Sequence, residues 1–160
     1  VFGRLDEEIE ACEASCVRWT IIPGITSASA AVATLGHSLT KRGRNSAVRF
    51  ITGHDTRGYA DHDWRAVARP GEVAAIYMGK ASARFIQGRL LMHGADRDTA
   101  VTVIENASRP TQRILATRLA ELEPALSEAG FDGPALVMLG LAPRDALDVA
   151  SDFDRSEAAI

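Results

Sequence analysis

Short apolar runs alternate along this chain with stretches whose apolar residues recur at helical spacing. The run at residues 73–78 is almost continuously apolar, which is typical of a strand that is covered on both faces. Residues 82–93 and 119–126 carry apolar positions three or four apart, which indicates helices between the strands. This alternation predicts an α/β fold. The predicted strands are residues 48–52, 73–78, 101–105, 113–116 and 135–139, with buried centres at Phe50, Ile76, Val103 and Val137.

The predicted strands divide the chain into three parts. Residues 39–142 contain all five of these strands and are predicted to form one α/β domain. Residues 1–38 supply only a short strand at 18–22 and two helices, so we expect them to be poorly anchored or to pack against a second copy. Residues 143–160 are rich in charged and small side chains and are predicted to be a mobile tail.

Composition and charge argue against several classes of function. The formal net charge is −3 and no run of Lys and Arg exceeds two residues, so we expect no nucleic-acid partner. No run of 18 apolar residues occurs, so we expect no membrane span. The first residues show no signal-peptide pattern, and we therefore expect a cytoplasmic protein.

The cysteines and histidines do not form a metal-binding pattern. Cys12 and Cys16 lie on a predicted helix with no further ligands at suitable spacing, and we expect them to be packing thiols in a reducing compartment. His54 and His62 lie in a polar loop at 53–65, where solvated or capping roles are expected. We therefore predict no metal site.

Six short motifs occur along the chain, and each by itself is an ordinary turn or strand end. The turn at 23–26 opens a helix, whose first N–H groups are suited to a carboxylate or phosphate. The motifs at 77–79 and 105–107 end strands, where ligands bind in open α/β sheets. The six motifs are Val1-Phe2-Gly3-Arg4, Pro23-Gly24-Ile25-Thr26, Leu39-Thr40-Lys41-Arg42, Thr52-Gly53-His54, Tyr77-Met78-Gly79, and Glu105-Asn106-Ala107 with Thr111-Gln112-Arg113.

In this order and spacing, from residue 1 to about residue 142, the motifs resemble the uroporphyrinogen-III C-methyltransferase family. These are tetrapyrrole methylases of sirohaem and cobalamin biosynthesis that use S-adenosyl-L-methionine and release S-adenosyl-L-homocysteine. The resemblance implies a tetrapyrrole substrate, a homodimer, and two α/β domains around a cleft. It begins in the middle of the family pattern, so we expect the C-terminal domain, with its five-stranded mixed sheet, preceded at residues 1–38 by the end of the N-terminal domain.

The resemblance also implies roles for individual residues. Arg4, Arg42 and Arg113 are expected to bind the carboxylate arms of the substrate, since guanidinium groups bind carboxylates bidentately. The proton-transfer residues of the family lie before residue 1, so we expect no catalytic residue here and no methyl transfer by these 160 residues alone. The residues expected to contact the cofactor are Val1, Thr26, Ser27, Met78, Ala107, Pro134 and Ala135.

Two other functions fit the same motifs. One is a related methylase that acts on a later corrin precursor, on RNA ribose or in diphthamide formation. The other is a non-catalytic dimerisation or binding module that kept the fold without the chemistry. The Thr52-Gly53-His54 and Tyr77-Met78-Gly79 motifs favour the uroporphyrinogen methylase.

Overall fold

The fold is built around a five-stranded mixed sheet. The structure is a computed structural model that describes residues 1–56 and 58–144. Most of the tail predicted at 143–160 lies outside the described residues. The helices are α1 (Leu5–Ala14), α2 (Ser27–Thr34), α3 (Trp64–Val67), α4 (Ala83–Met92) and α5 (Leu122–Ala129), with a 3-10 turn at Leu119–Glu121. The strands are β1 (Arg49–Thr52), β2 (His54–Asp55), β3 (Gly58–Tyr59), β4 (Ala74–Tyr77), β5 (Ala100–Glu105), β6 (Arg113–Arg118) and β7 (Ala135–Leu139).

The sheet has the strand order β1-β4-β7-β5-β6, which confirms the predicted five-stranded mixed sheet. β1 and β4 are parallel, whereas β7 runs antiparallel to both of its neighbours. In this register Val137 lies opposite Ile76 on one side and Val103 on the other. All three are buried, as predicted, because the central strands are covered on both faces.

Each face of the sheet packs against its own helices. One face carries Ile76 and Val137 and meets Ile86 and Leu90 of α4 together with α5. The other face is covered by α2, whose small residues allow close approach to the sheet. Ala28, Ala31, Val32 and Leu35 are buried there against Val73, Ala75, Ile104, Leu136, Met138 and Leu141. The expectation that residues 1–38 are poorly anchored is therefore wrong for residues 27–35.

The segment before α2 is exposed. Residues 18–22 do not form the predicted strand, and the Ile22 side chain is 81% exposed. In the part of the chain that the structure describes, no neighbouring strand offers this segment a ladder of hydrogen bonds. No residue of α1 is buried; Cys12 is partly exposed and Cys16 is exposed, so the prediction that both are packing thiols is wrong.

Two further expectations are corrected by the position of the elements. Phe50 is 39% exposed because β1 is an edge strand; its ring lies 6.3 Å from that of Tyr77. The loop predicted at 53–65 contains the short hairpin of β2 and β3 and the start of α3. Within it, Asp63 caps α3 by accepting the Ala66 N–H, whereas His62 hydrogen bonds with the Thr52 carbonyl at 2.7 Å. Within residues 1–56 and 58–144, no helix has the length and apolarity needed to cross a bilayer.

Candidate functional site

A cavity of about 890 Å³ opens at one edge of the sheet. Because β7 is antiparallel to its neighbours, the carboxyl ends of β4 and β5 meet the amino end of β7 there. The first residue of α2 closes the same side. The cavity is lined by Ser27, His54, Tyr77, Met78, Lys80, Ala81, Ile104, Asn106, Ala107, Arg109, Asp132, Gly133, Pro134, Ala135 and Leu136.

The structure brings together most of the residues that the motifs predict for a cofactor. Ser27, Met78, Ala107, Pro134 and Ala135 all line this cavity although they come from four separate parts of the chain. Thr26 is the N-cap immediately before Ser27, whereas Val1 is exposed and is not among the lining residues. In the part of the chain that the structure describes, no group of His, Cys, Asp and Glu is arranged to hold a metal ion.

The N-terminus of α2 is held by two side-chain oxygens. The Thr26 hydroxyl accepts the Ser29 N–H at 3.3 Å, as an N-cap residue does. The Tyr77 hydroxyl accepts the Ala28 N–H at 3.2 Å and so connects α2 to the end of β4. Two of the N–H groups expected to be available to an anion are therefore already bonded, and Ser27 is the residue of this turn that faces the cavity.

The turn after β4 presents Met78 in an unusual backbone conformation. Met78 has a φ of 53°, in the left-handed region that few non-glycine residues adopt. Its side chain is 51% exposed and lies on the cavity wall. The backbones of Gly53 and Gly79 pack tightly at this turn, because a Cβ on Gly53 would collide with the Cα of Gly79 at 2.8 Å. The motifs Thr52-Gly53-His54 and Tyr77-Met78-Gly79 are thus neighbours in space.

The opposite wall is a loop before β7 that is hydrogen bonded from several sides. The buried Glu105 carboxylate accepts the Gly133 N–H at 2.6 Å, and the Asn106 N–H donates to the Pro134 carbonyl at 2.9 Å. A side chain at Gly133 would collide with the Asn106 amide, whose oxygen lies 2.8 Å from the ideal Cβ position. The motif Glu105-Asn106-Ala107 therefore shapes this loop as well as lining the cavity.

The three arginines expected at the substrate are not among the lining residues of the cavity. Arg4 pairs with Glu7 in the exposed first turn of α1, and this hydrogen bond holds the pKa of the Glu7 carboxyl below its usual value. Arg42 lies on the exposed turn at 40–46. Their assignment to the substrate stays a prediction.

Arg113 has a set of partners inside the protein. It donates to the carbonyl of Ala129 at 2.6 Å and of Gly130 at 3.4 Å, at the C-terminus of α5. Its guanidinium lies 4.5 Å from the centroid of the Phe131 ring and 3.6 Å from the Glu105 carboxylate. These contacts give it a structural role that the motif alone did not reveal.

Six further polar or aromatic residues line the cavity without having been predicted as site residues. His54, Tyr77 and Asn106 belong to the motifs, so their positions in the pattern were a usable signal. Lys80, Arg109 and Asp132 belong to no motif, and only the fold brings them to this wall.

Comparison with known proteins adds family information to this geometry. The sequence model of the tetrapyrrole (corrin/porphyrin) methylases matches residues 1–123. A siroheme synthase of Pseudoalteromonas translucida is 37% identical over 140 residues, which is 88% of this chain and 30% of that protein. A siroheme synthase of Gluconacetobacter diazotrophicus is 43% identical over 142 residues, with the same coverage. The chain thus spans about 30% of the length of these curated relatives.

Solved structures give the same picture at the level of the fold. The uroporphyrin-III C-methyl transferase of Thermus thermophilus, complexed with S-adenyl homocysteine, is 31% identical with a TM-score of 0.71. That match covers 88% of this chain and 60% of the other. A cobalt precorrin-4 methyltransferase superposes with a TM-score of 0.80, covering 91% and 61% of the two chains. At 21% identity, the second likeness concerns the fold alone.

Proposed function

The chain belongs to the tetrapyrrole (corrin/porphyrin) methylase family, and from this we propose that its cavity binds S-adenosylmethionine for the C-methylation of uroporphyrinogen III to precorrin-2. The observation that carries the proposal is the convergence of Ser27, Met78, Ala107, Pro134 and Ala135 on one cavity. The relative from Thermus thermophilus was solved with S-adenyl homocysteine, which supports this type of ligand.

The lining of the cavity suits an adenosyl group. The volume of about 890 Å³ falls within the range of small-molecule sites, and the half-exposed side chain of Met78 offers an apolar surface for a flat ring. Ala107 and Ala135 have small side chains, so a ligand can approach their backbone N–H and C=O groups closely. Backbone groups of this kind fix the orientation of a polar ring edge.

When bound, S-adenosylmethionine supplies an electrophilic methyl group. The residues of this chain hold the cofactor and orient it toward the substrate, a task that in well-aligned systems lowers a barrier by about 7–11 kcal/mol. Ser27 and the capped turn of α2 lie on one side of the cavity, and the loop at 131–134 lies on another. The group that accepts a proton from the macrocycle is proposed to lie outside these 160 residues, so we expect the isolated chain to transfer no methyl group.

The choice of uroporphyrinogen III rests on the relatives. The siroheme synthases are 36–43% identical to this chain and the uroporphyrin-III C-methyl transferase of Thermus thermophilus is 31% identical, whereas the solved cobalt precorrin-4 methyltransferase is 21% identical. Sirohaem synthesis is therefore the favoured pathway. The substrate roles of Arg4, Arg42 and Arg113 and the formation of a homodimer belong to this same proposal.

Binding of S-adenosylhomocysteine, measured by calorimetry, tests the cofactor site. The Met78→Glu variant places a carboxylate on the apolar wall and should abolish detectable binding, since burying an unpaired charge is costly. Met92→Glu is the matched control, because Met92 is 73% exposed on α4, outside the cavity, and should bind like the unaltered chain. Equal binding by both variants would contradict the proposed site.

Methyl transfer itself is tested anaerobically with uroporphyrinogen III and labelled S-adenosylmethionine. The full-length gene product should transfer two methyl groups to the macrocycle, and the 160-residue chain none. Turnover by these residues alone would place the reacting groups inside this chain and overturn that part of the proposal. A full-length product that binds the cofactor without methylating any tetrapyrrole would favour a non-catalytic binding module.

A further inference from the structure

Lys80 joins two walls of the cavity that are far apart in the sequence. Its ammonium group donates to the carbonyl oxygen of Gly133 at 2.8 Å and to that of Phe131 at 3.2 Å. Lys80 directly follows the Tyr77-Met78-Gly79 turn at the end of β4. The two hydrogen bonds therefore tie the wall that presents Met78 to the loop that leads into β7.

The same loop is also bonded from the side of β5. Glu105 accepts the Gly133 N–H at 2.6 Å, while Lys80 holds the Gly133 carbonyl. Both polar groups of Gly133 thus have charged partners, and hydrogen bonds to charged groups are stronger than neutral ones. The peptide groups between Phe131 and Pro134 are fixed in orientation by this arrangement.

We propose that Lys80 is a positioning residue for the cofactor, which sets the separation between the Met78 wall and the wall at 133–135. The proposal rests on the cofactor function proposed above. A cavity whose walls are already ordered binds more tightly, because the ligand does not have to order them. Lysine suits this role since its ammonium carries three donors on a long stem, and two of them are used here.

The variants Lys80→Met and Lys80→Arg separate this role from a general effect of charge. Methionine removes the donors, so the Kd for S-adenosylhomocysteine, measured by calorimetry on the 160-residue chain, should rise about tenfold. Arginine keeps donors for both carbonyls and should stay within about threefold of the unaltered chain. The chain has a second lysine, Lys41, on a turn outside the cavity, and Lys41→Met should leave the Kd unchanged. A Kd for Lys80→Met within about twofold of the unaltered value would overturn the proposal.

Hydrogen exchange measures the loop directly and needs no ligand. In Lys80→Met, peptides covering residues 131–133 should exchange faster, while those covering α4 should be unchanged. Unchanged exchange in the loop would overturn the proposal even if stability fell. If the unaltered chain binds no S-adenosylhomocysteine, the proposed cofactor function fails, and exchange alone decides the role of Lys80.

Amine modification of the unaltered chain covers the case in which Lys80→Met does not fold. A lysine held by two carbonyls should react more slowly than the exposed Lys41 in the same molecule. Both rates can be read from one digest, so Lys41 serves as the internal reference. Equal rates for the two lysines would overturn the proposal.

Discussion

A Cβ atom placed on Gly53 would lie 2.8 Å from the Cα atom of Gly79 and 3.0 Å from the carbonyl oxygen of Met78. The backbones at the ends of β1 and β4 therefore touch, and the Gly53 N–H donates to the Tyr77 carbonyl at 2.7 Å. Any side chain at position 53 has to displace the turn that presents Met78 to the cavity. The motifs Thr52-Gly53-His54 and Tyr77-Met78-Gly79 therefore pack directly against each other.

Gly53→Ala should lower the free energy of unfolding by about 1–3 kcal/mol, because the atoms that the new methyl group meets belong to the backbone and cannot rotate away. It should also weaken binding of S-adenosylhomocysteine, since the Met78 turn moves. Urea denaturation and calorimetry measure the two effects. Gly88→Ala is the control: its Cβ meets open space on α4, and alanine should stabilise the helix by about 0.5–1 kcal/mol. A Gly53→Ala variant of full stability would contradict the close approach.

Arg113→Ala should destabilise the fold by about 1–3 kcal/mol, because it leaves the carboxylate of Glu105 without its cation and two carbonyls of the α5 terminus without donors. Glu105 is only 1% exposed, so water cannot replace the lost partner. Thermal and urea unfolding measure the change. The exposed Arg84→Ala removes the same charge from the surface of α4 and should have little effect. Equal stability of the two variants would contradict the structural role of Arg113 and leave only its predicted role in substrate binding.

Tyr77→Phe should cost about 0.5–1.5 kcal/mol of stability, because the Ala28 N–H loses the hydroxyl that accepts it. The connection between α2 and β4 is broken, so the affinity for S-adenosylhomocysteine should fall as well. The chain has one other tyrosine, Tyr59, which is exposed and whose ring stacks on that of Phe85. Tyr59→Phe keeps that stacking and should change neither quantity. If both variants unfold at the same urea concentration, the hydrogen bond between the Ala28 N–H and the Tyr77 hydroxyl does not contribute to stability.

His37 should make the stability depend on pH. Its pKa lies below the usual value because burial penalises the charged ring, and because Arg144, Arg44 and Lys41 repel it; a backbone hydrogen bond with Ala142 opposes the shift. Below about pH 6.5 the unfolded chain binds a proton that the folded chain resists, so the contribution is complete above this pH and is lost as the pH falls.

The His37→Gln variant tests this sign. Melting temperatures between pH 8 and pH 5 should fall less steeply for the variant than for the unaltered chain, since glutamine binds no proton in either state. The carboxylates contribute equally to both curves, so the difference between the two curves reports on position 37. Parallel curves would contradict the lowered pKa of His37.

Much of the fold was predictable because its signals are local. The run at 73–78 is apolar at almost every position, which only a strand covered on both faces requires. The turn at 23–26 was predicted to open a helix, and the structure confirms this with Thr26 as the N-cap of α2. The cofactor roles of Met78 and Ala107 were predicted from the family resemblance of their motifs, and both residues line the cavity at strand ends, where open sheets bind ligands.

The rest depends on distances in space that the sequence does not encode locally. Phe50 was expected in the core, but β1 is an edge strand, and strand order is decided by the pairing of distant segments. Lys80 meets its carbonyl partners across more than fifty residues, so no motif contains both sides of the contact. The strand predicted at 18–22 failed for the same reason, since a strand exists only with a partner.

The position of β7 at the centre of the sheet has a consequence for synthesis on the ribosome. The parallel pair β1–β4 and the hairpin β5–β6 can each form early, but among the described residues the sheet joins them through Ala135–Leu139, which must first leave the exit tunnel. Until then both inner edges stay open, and unpaired edges attract other chains. Nascent chains stopped before residue 135 should therefore depend on chaperones. Once β7 has been synthesised, it can pair with β4 and β5 and cover both open edges at once.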